Sequence, residues 1–279
     1  MTTTTVSRLA PSPTGYLHLG HARAAWFAAE AARDGRFLVR IEDIDRGRCR
    51  SEFEAAIFED LAWLGLTWEQ PVRRQSEYFA EYAAAVEKLR ERDLVYPCFC
   101  TRAEIQREIA SAVNAPHGPD GPLYPGTCRN LSHVQARGRI DAGDGYALRL
   151  RMDAAISETG PLKWHDRAKG EQHATPQLFG DVVIARKDVP TSYHIACTWD
   201  DAVQGVTLVT RGEDLFSATH VHRLLQALLG LPTPDYHHHA LLLGPDGKKF
   251  SKRDQAPTLR SLRAAGKTPD DVKAMIGPL

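Results

Sequence analysis

Two histidines near one end of the chain and a lysine-rich loop near the other are the residues best placed to do chemistry. His18 and His21 follow Arg8-Leu-Ala-Pro-Ser-Pro-Thr-Gly, which reads as a strand running through a proline-locked turn into a helix. Three positions apart, both imidazoles share one face of the first helical turn. Helix N-termini present unpaired N–H groups and the positive end of the dipole, which suit phosphate. Gly15 frees the turn, and Gly20 removes a side chain where a flat base would approach. More than two hundred positions later, Lys248-Lys249-Phe250-Ser251-Lys252-Arg253 follows a Gly-Pro-Asp-Gly turn. Together the two segments describe a two-ended clamp for a triphosphate.

A second cluster has the spacing of a metal site. Cys98 and Cys100 flank Phe99, Cys128 lies 28 residues beyond Cys100, and Tyr124 stands four positions before Cys128. Two thiolates at i and i+2 with a third across a loop suit tetrahedral, structural zinc. The Pro/Gly-dense run from Ala115 to Gly126 is poor in core-forming residues and needs such a clip to be ordered. The fourth ligand is open among Tyr124, His117 and His133. The run His237-His238-His239 alternates faces in a strand and is read as packing near the nucleotide, not as a metal site. The five cysteines, at 49, 98, 100, 128 and 197, are an odd number in a chain with no visible secretory signal, which argues against a disulfide framework.

These groups need a scaffold. With 279 residues the chain has room for one or two domains with a proper core. A strand over Thr4–Ala10, a helix over His18–Arg33, a strand from Arg36, and amphipathic helices over Glu52–Leu64 and Glu77–Arg92 give a βαβα opening. That pattern predicts an α/β fold with a Rossmann-like parallel sheet and ligands beyond the strand ends. Tyr146–Met152 suggests antiparallel strands. The parent pattern resumes with Asp181–Arg186, Tyr193–Ala196 and Val206–Arg211, read as strands, and the helix Ser217–Leu229. Residues 1–95 and 171–240 are therefore expected to form the catalytic domain. Residues 96–170 form an inserted, zinc-containing α+β subdomain, and 241–279 carry the lysine loop and a short helical segment.

Lys plus Arg and Asp plus Glu are both 35, so the net charge of zero excludes a dedicated nucleic-acid coat. Arg129, Arg137, Arg139, Arg149, Arg151 and Arg167 form a denser stretch, either a local RNA patch or a salt-bridged surface. The longest apolar runs are far short of a membrane span. A cytoplasmic monomer is the expectation.

His18-Leu19-Gly20-His21 and Lys249-Phe250-Ser251-Lys252-Arg253 resemble the two signatures of class I aminoacyl-tRNA synthetases, His-Ile-Gly-His and Lys-Met-Ser-Lys-Ser; Leu19 and Phe250 are mild apolar departures. The wording around the first, Arg-x-Ala-Pro-Ser-Pro-Thr-Gly-x-Leu-His-Leu-Gly-His, is similar to the glutamate branch. Tyr124-Pro-Gly-Thr-Cys128-Arg resembles a segment of the small glutamyl-queuosine enzymes of that branch, whose zinc uses three Cys and one Tyr, which puts Tyr124 ahead of the histidines.

The resemblance implies attack of a glutamate carboxylate on the α-phosphate of ATP, with Mg2+ on the triphosphate, then transfer of the acyl group to an RNA hydroxyl. It implies His18, His21 and Lys252 as catalytic residues, with Gly20, Lys249 and Ser251 also at the nucleotide. For L-glutamate it implies Arg8, Ala10, Ser12, Glu42, Tyr193 and Arg211. The fork of Arg8 suits a carboxylate and the acid of Glu42 an α-ammonium group. Leu279 comes 27 residues after Lys252, which leaves no room for a large anticodon-reading domain. The small enzymes activate glutamate without RNA and transfer it to queuosine in the anticodon arm of tRNA(Asp). The alternatives are a catalytic fragment charging tRNA(Glu), a non-catalytic RNA-binding paralogue, and an adenylyltransferase on the same scaffold.

Overall fold

A computed structural model describes residues 4–111, 117–119, 121–242 and 257–279. The first half alternates as read from the sequence: β1 (Val6–Leu9), α1 (Leu19–Ala31), β2 (Arg36–Ile41), α2 (Ser51–Trp63), β3 (Glu69–Arg74) and α3 (Phe79–Arg90). β1, β2 and β3 pair in parallel. β2 is buried from Phe37 onward, which explains its near-continuous apolar run. Gly35 stands just before it, where a Cβ would lie 1.9 Å from the Thr5 carbonyl oxygen. Ala22, Ala25 and Ala28 on α1 are buried, so small side chains let this helix lie close to the sheet. On α2, Ile57 and Leu61 share a face and are buried in the same core. Truncating either to Ala would cost about 2–5 kcal/mol.

The middle of the chain holds β4 (Val95–Cys98), α4 (Arg102–Ser111), the two-residue β5 (His117–Gly118) and β6 (Gly121–Pro122), α5 (His133–Asp141), β7 (Ala147–Leu150) and α6 (Met152–Thr159). Then come β8 (Lys163–Asp166), β9 (Gly170–His173), β10 (Val183–Ala185), α7 (Tyr193–Val203), β11 (Leu208–Gly212), α8 (Ala218–Leu229), β12 (Asp235–His239), α9 (Leu259–Ala264) and α10 (Pro269–Ile276). β4, β7 and β10 form a small antiparallel sheet, with β7 central. β11 and β12 are parallel, β8 joins β12 in parallel, and β9 closes the edge antiparallel to β8. β1 lies beside β11, where the Val6 carbonyl accepts from Thr207 N–H at 3.0 Å. The strands therefore run 3-2-1-11-12-8-9 across the molecule.

Two expectations are corrected. Tyr193 does not end a strand; it is the first residue of α7, preceded by Ser192 in extended conformation (φ −131°, ψ 169°). The run Tyr193–Ala196 is too short for period to separate a strand from a buried helical turn. Asp181–Arg186 does not join the parallel sheet; its strand β10 is antiparallel to β7. β8, inside the 96–170 segment, contributes to the parallel layer through the register Tyr236–Asp166. Among the described residues, no helix is long and apolar enough to cross a membrane.

Candidate active site

The chain moves outward from β1 to β2 and β3, then returns to β11 on the other side of β1. The direction of winding reverses between β1 and β11, and ligands in such sheets bind beyond the strand ends at that crevice. A cavity of about 630 Å³ lies there. Arg8, Ala10 and Ser12 reach it from β1 and its exit, and Glu42 from the residue after β2. Tyr193 lines it from the start of α7, Arg211 from the end of β11, and His18, Gly20 and His21 from the start of α1. Nine residues named from the sequence thus line one cavity. Lys249, Ser251 and Lys252 lie outside the described residues.

The flanks of that segment are described, and both lie at the histidine end of the cavity. Leu241 and Leu242 line the same cavity as His18 and His21. Thr258 pairs in antiparallel fashion with His18, and Leu259 N–H donates to the Leu17 carbonyl at 2.8 Å.

His18 is the N-cap of α1. Its Nδ1 accepts from Gly20 N–H at 3.1 Å, and His21 Nδ1 accepts from His18 N–H at 3.2 Å. A nitrogen that accepts carries no proton, so each neutral ring bears its proton on Nε2. Helix capping therefore fixes both imidazoles as Nε2 donors, the role phosphate oxygens require. A Cβ at Gly20 would lie 3.0 Å from His18 Cε1, so the glycine also makes room for the ring.

The floor is a buried charge ladder. Arg8 donates through Nε and Nη2 to the two oxygens of Asp201 at 2.9 and 3.3 Å, and through Nη1 to the Thr210 carbonyl at 3.1 Å. Arg40, wholly buried, donates through Nη1 to Asp201 at 2.7 Å and through Nη2 to Glu42 at 3.1 Å. Burial alone would raise the Asp201 pKa, but Arg8 and Arg40 outweigh it and hold this carboxyl at about 2. Glu42 goes the other way, because burial outweighs Arg40 and Arg8. Sequence reasoning does not single out Arg40 or Asp201. The only signal was a lone charge in the apolar run Phe37–Ile41 and paired acids in α7.

Arg211 is held differently. It donates through Nε to His238 Nε2 at 3.1 Å and through Nη2 to Thr219 Oγ1 at 2.6 Å. Its Nη1 faces Tyr193 Oη at 3.4 Å and His222 Nδ1 at 3.3 Å. His238 Nδ1 meets Asp166 Oδ2 at 2.6 Å. His238 thus joins Asp166 to Arg211 at this site.

Some distance away, the Sγ atoms of Cys98, Cys100 and Cys128 lie within 4.8 Å of one another, the only such His/Cys/Asp/Glu group among the described residues. Tyr124 Oη lies 3.3 Å from Cys98 Sγ and 3.5 Å from Cys100 Sγ, and Cys100 and Cys128 are 3.5 Å apart. Tetrahedral zinc with its usual bond lengths needs ligand separations of about 3.5–3.8 Å, close to these, so the three sulfurs, with Tyr124 beside them, could hold one ion. Neither His117 nor His133 belongs to the group. Burial would raise the Cys128 thiol, but Phe99 N–H and the Tyr124 hydroxyl bring it below its ordinary value.

The six arginines proposed for an RNA patch are each engaged within the chain. Arg129 pairs with Asp153, Arg137 with Asp141, Arg139 with Asp144 and Arg167 with Asp235. Arg149 lies over the Tyr124 ring at 3.8 Å and Arg151 over Tyr96 at 5.0 Å. A second cavity of about 1070 Å³ opens between the parallel sheet and the cysteine cluster. Ser12, Glu42 and Tyr193 line both cavities, and Arg48, Arg186 and Lys187 line the second alone.

Residues 4–275 match the family model "tRNA synthetases class I (E and Q), catalytic domain". A Rhodobacter capsulatus protein named glutamyl-Q tRNA(Asp) synthetase is 49% identical, over 98% of this chain and 99% of its own length. One of the same name from Nocardia farcinica is 43% identical over 96% of this chain and 82% of its own. A glutamate tRNA ligase from Elizabethkingia meningosepticum, solved in complex with its amino acid, superposes with a TM-score of 0.76 at 29% identity, covering 90% of this chain. This chain spans about half of that structure's length, 52%.

Proposed function

The chain belongs to the class I tRNA synthetases of the E and Q family, and from that membership we propose that it activates L-glutamate with ATP and passes it to queuosine of tRNA(Asp). The carrying observation is that both flanks of residues 243–256, the segment that holds Lys249, Ser251 and Lys252, reach the histidine end of the cavity: Thr258 pairs with His18, and Leu241 and Leu242 line the cavity that His18 and His21 line. The reading assigns the lysines of that segment to the triphosphate that the imidazoles face.

In this reading glutamate enters with its α-ammonium group on Glu42 and its side-chain carboxylate toward Arg8 and Arg211, with Ala10, Ser12 and Tyr193 closing around it. ATP lies over Gly20, accompanied by Mg2+. The α-carboxylate attacks the α-phosphorus and pyrophosphate leaves. The Nε2 protons of His18 and His21 stabilise charge on the phosphoryl oxygens, and Lys252 follows the departing phosphates, with Lys249 and Ser251 beside it. Cys98, Cys100, Cys128 and Tyr124 hold one structural zinc ion that orders the inserted segment. The acceptor nucleoside of the anticodon arm enters through the larger cavity, which meets the smaller one at Ser12, Glu42 and Tyr193. The enzyme works as a cytoplasmic monomer.

Support for the acceptor comes from the Rhodobacter relative, matched over 99% of its length and named for tRNA(Asp). The test is incubation with ATP and labelled glutamate. Glutamate-dependent pyrophosphate exchange without RNA, and label on tRNA(Asp) only when it carries queuosine, are expected. Exchange that requires tRNA(Glu), with label on that RNA, would replace this reading with ordinary glutamyl-tRNA synthesis.

A further inference from the structure

The two arginines of the smaller cavity are not equivalent. Arg8 is charge-paired with Asp201. Among the described residues, Arg211 has no carboxylate within ion-pair distance; its partners are His238, His222, Thr219 and Tyr193. A buried cation coordinated only by neutral groups keeps its charge uncompensated until an anion arrives.

The hydrogen bonds around His238 have one solution. Asp166 accepts from Ala168 N–H at 2.9 Å and Lys169 N–H at 3.0 Å, so its carboxylate is fixed in place. A carboxylate only accepts, so His238 Nδ1 carries the proton toward Asp166 Oδ2 at 2.6 Å. Arg211 Nε only donates, so His238 Nε2 must be bare. A protonated ring would set N–H against N–H. Burial and then the Arg211 charge hold His238 at about 4, against the opposing pull of Asp166, so the ring is neutral at physiological pH. Trp164 and Phe216 pack against the imidazole, with ring centroids at 5.9 and 5.0 Å.

We propose that His238, oriented by Asp166, is a positioning residue that aims the Arg211 guanidinium at the substrate's side-chain carboxylate and so selects glutamate over glutamine. This rests on the reading that the cavity holds glutamate. An amide in that place would leave the cation buried without a counter-charge, whereas a carboxylate completes it.

The test is pyrophosphate exchange by the full chain with glutamate and with glutamine, for the wild type and three variants. In His238→Asn the amide reaches the Nδ1 position and keeps Asp166 but offers Arg211 no acceptor. In His238→Gln the side-chain carbonyl reaches the Nε2 position and restores it. His238→Asn should raise the glutamate KM about ten-fold or more, change kcat less than about three-fold, and lower the glutamate-to-glutamine preference by a similar factor. His238→Gln should return KM to within about three-fold of wild type. An unaltered KM in His238→Asn, a glutamine variant as impaired as the asparagine one, or a loss of kcat with selectivity intact would each overturn the proposal. If melting shows His238→Asn unfolded, Thr219→Val decides, because it removes another neutral acceptor of the same guanidinium while keeping its shape. A raised glutamate KM supports the proposal and a normal one overturns it. Absence of exchange by the wild type would sink this inference together with the proposed function, while wild-type exchange with a normal KM in His238→Asn sinks this one alone.

Discussion

Asp201→Asn is the sharpest perturbation of the site that leaves its shape alone. The carboxylate accepts from Arg8 Nε at 2.9 Å and Arg40 Nη1 at 2.7 Å, with side chains 8% exposed or less. Removing its charge leaves Arg40 with Glu42 at 3.1 Å but leaves Arg8 with no carboxylate within 4.0 Å among the described residues. Breaking a buried pair from one side costs about 3–5 kcal/mol. Proton linkage gives a second, smaller figure. The folded carboxyl titrates at about 2 instead of 3.8, a depression worth about 2 kcal/mol of stability. The folded pKa is the lower one, so this stability is present above pH 4 and lost as pH falls through 2. Urea denaturation should therefore find the variant about 2–5 kcal/mol less stable than wild type at pH 7, with the gap closing below pH 4. A gap under about 1 kcal/mol at pH 7, or one that persists unchanged into acid, would refute the charge ladder as the source of the floor's order.

His21→Ala should lower the rate of pyrophosphate exchange on the order of 10² or more while calorimetry still finds glutamate bound; unchanged turnover would remove His21 from the chemistry. Asp60, buried on α2 with neither oxygen hydrogen-bonded and Arg263 at 3.6 Å, is raised by burial to about 6 despite that arginine. The folded acid binds its proton more tightly than the unfolded one, so stability falls as pH rises from 4 through 6. Asp60→Asn should recover up to about 3 kcal/mol at pH 7.5 and nothing at pH 4, measured by denaturation at both. Purified protein should carry about one zinc ion per chain, and a chelator should unfold the segment around Cys98; metal analysis giving less than about half an equivalent would count against the site.

What could be read from the residues was whatever the chain states locally. His18 and His21 are three positions apart within one helical turn, so spacing alone places them on one face, with Gly20 between them. Cys98, Cys100 and Tyr124 lie close to their partner Cys128 in sequence and in space. The supports beneath the site were not legible. Arg40 meets Asp201 across 161 residues, and His238 meets Asp166 across 72. Such pairings follow from strand order, which no short window encodes. Four residues cannot declare a period, so the run from Tyr193 hides its helix, yet the residue reaches the cavity, since a helix beginning where a strand would end delivers its first side chain to the same rim.

Ser12, Glu42 and Tyr193 face both chambers. A partition with two wet sides cannot report on one of them only. Whatever settles against it from the sheet side alters the surface offered to a visitor from the other, and thermodynamic reciprocity makes the effect equal in both directions. Amino acid and acceptor would then influence each other's affinity through these three side chains.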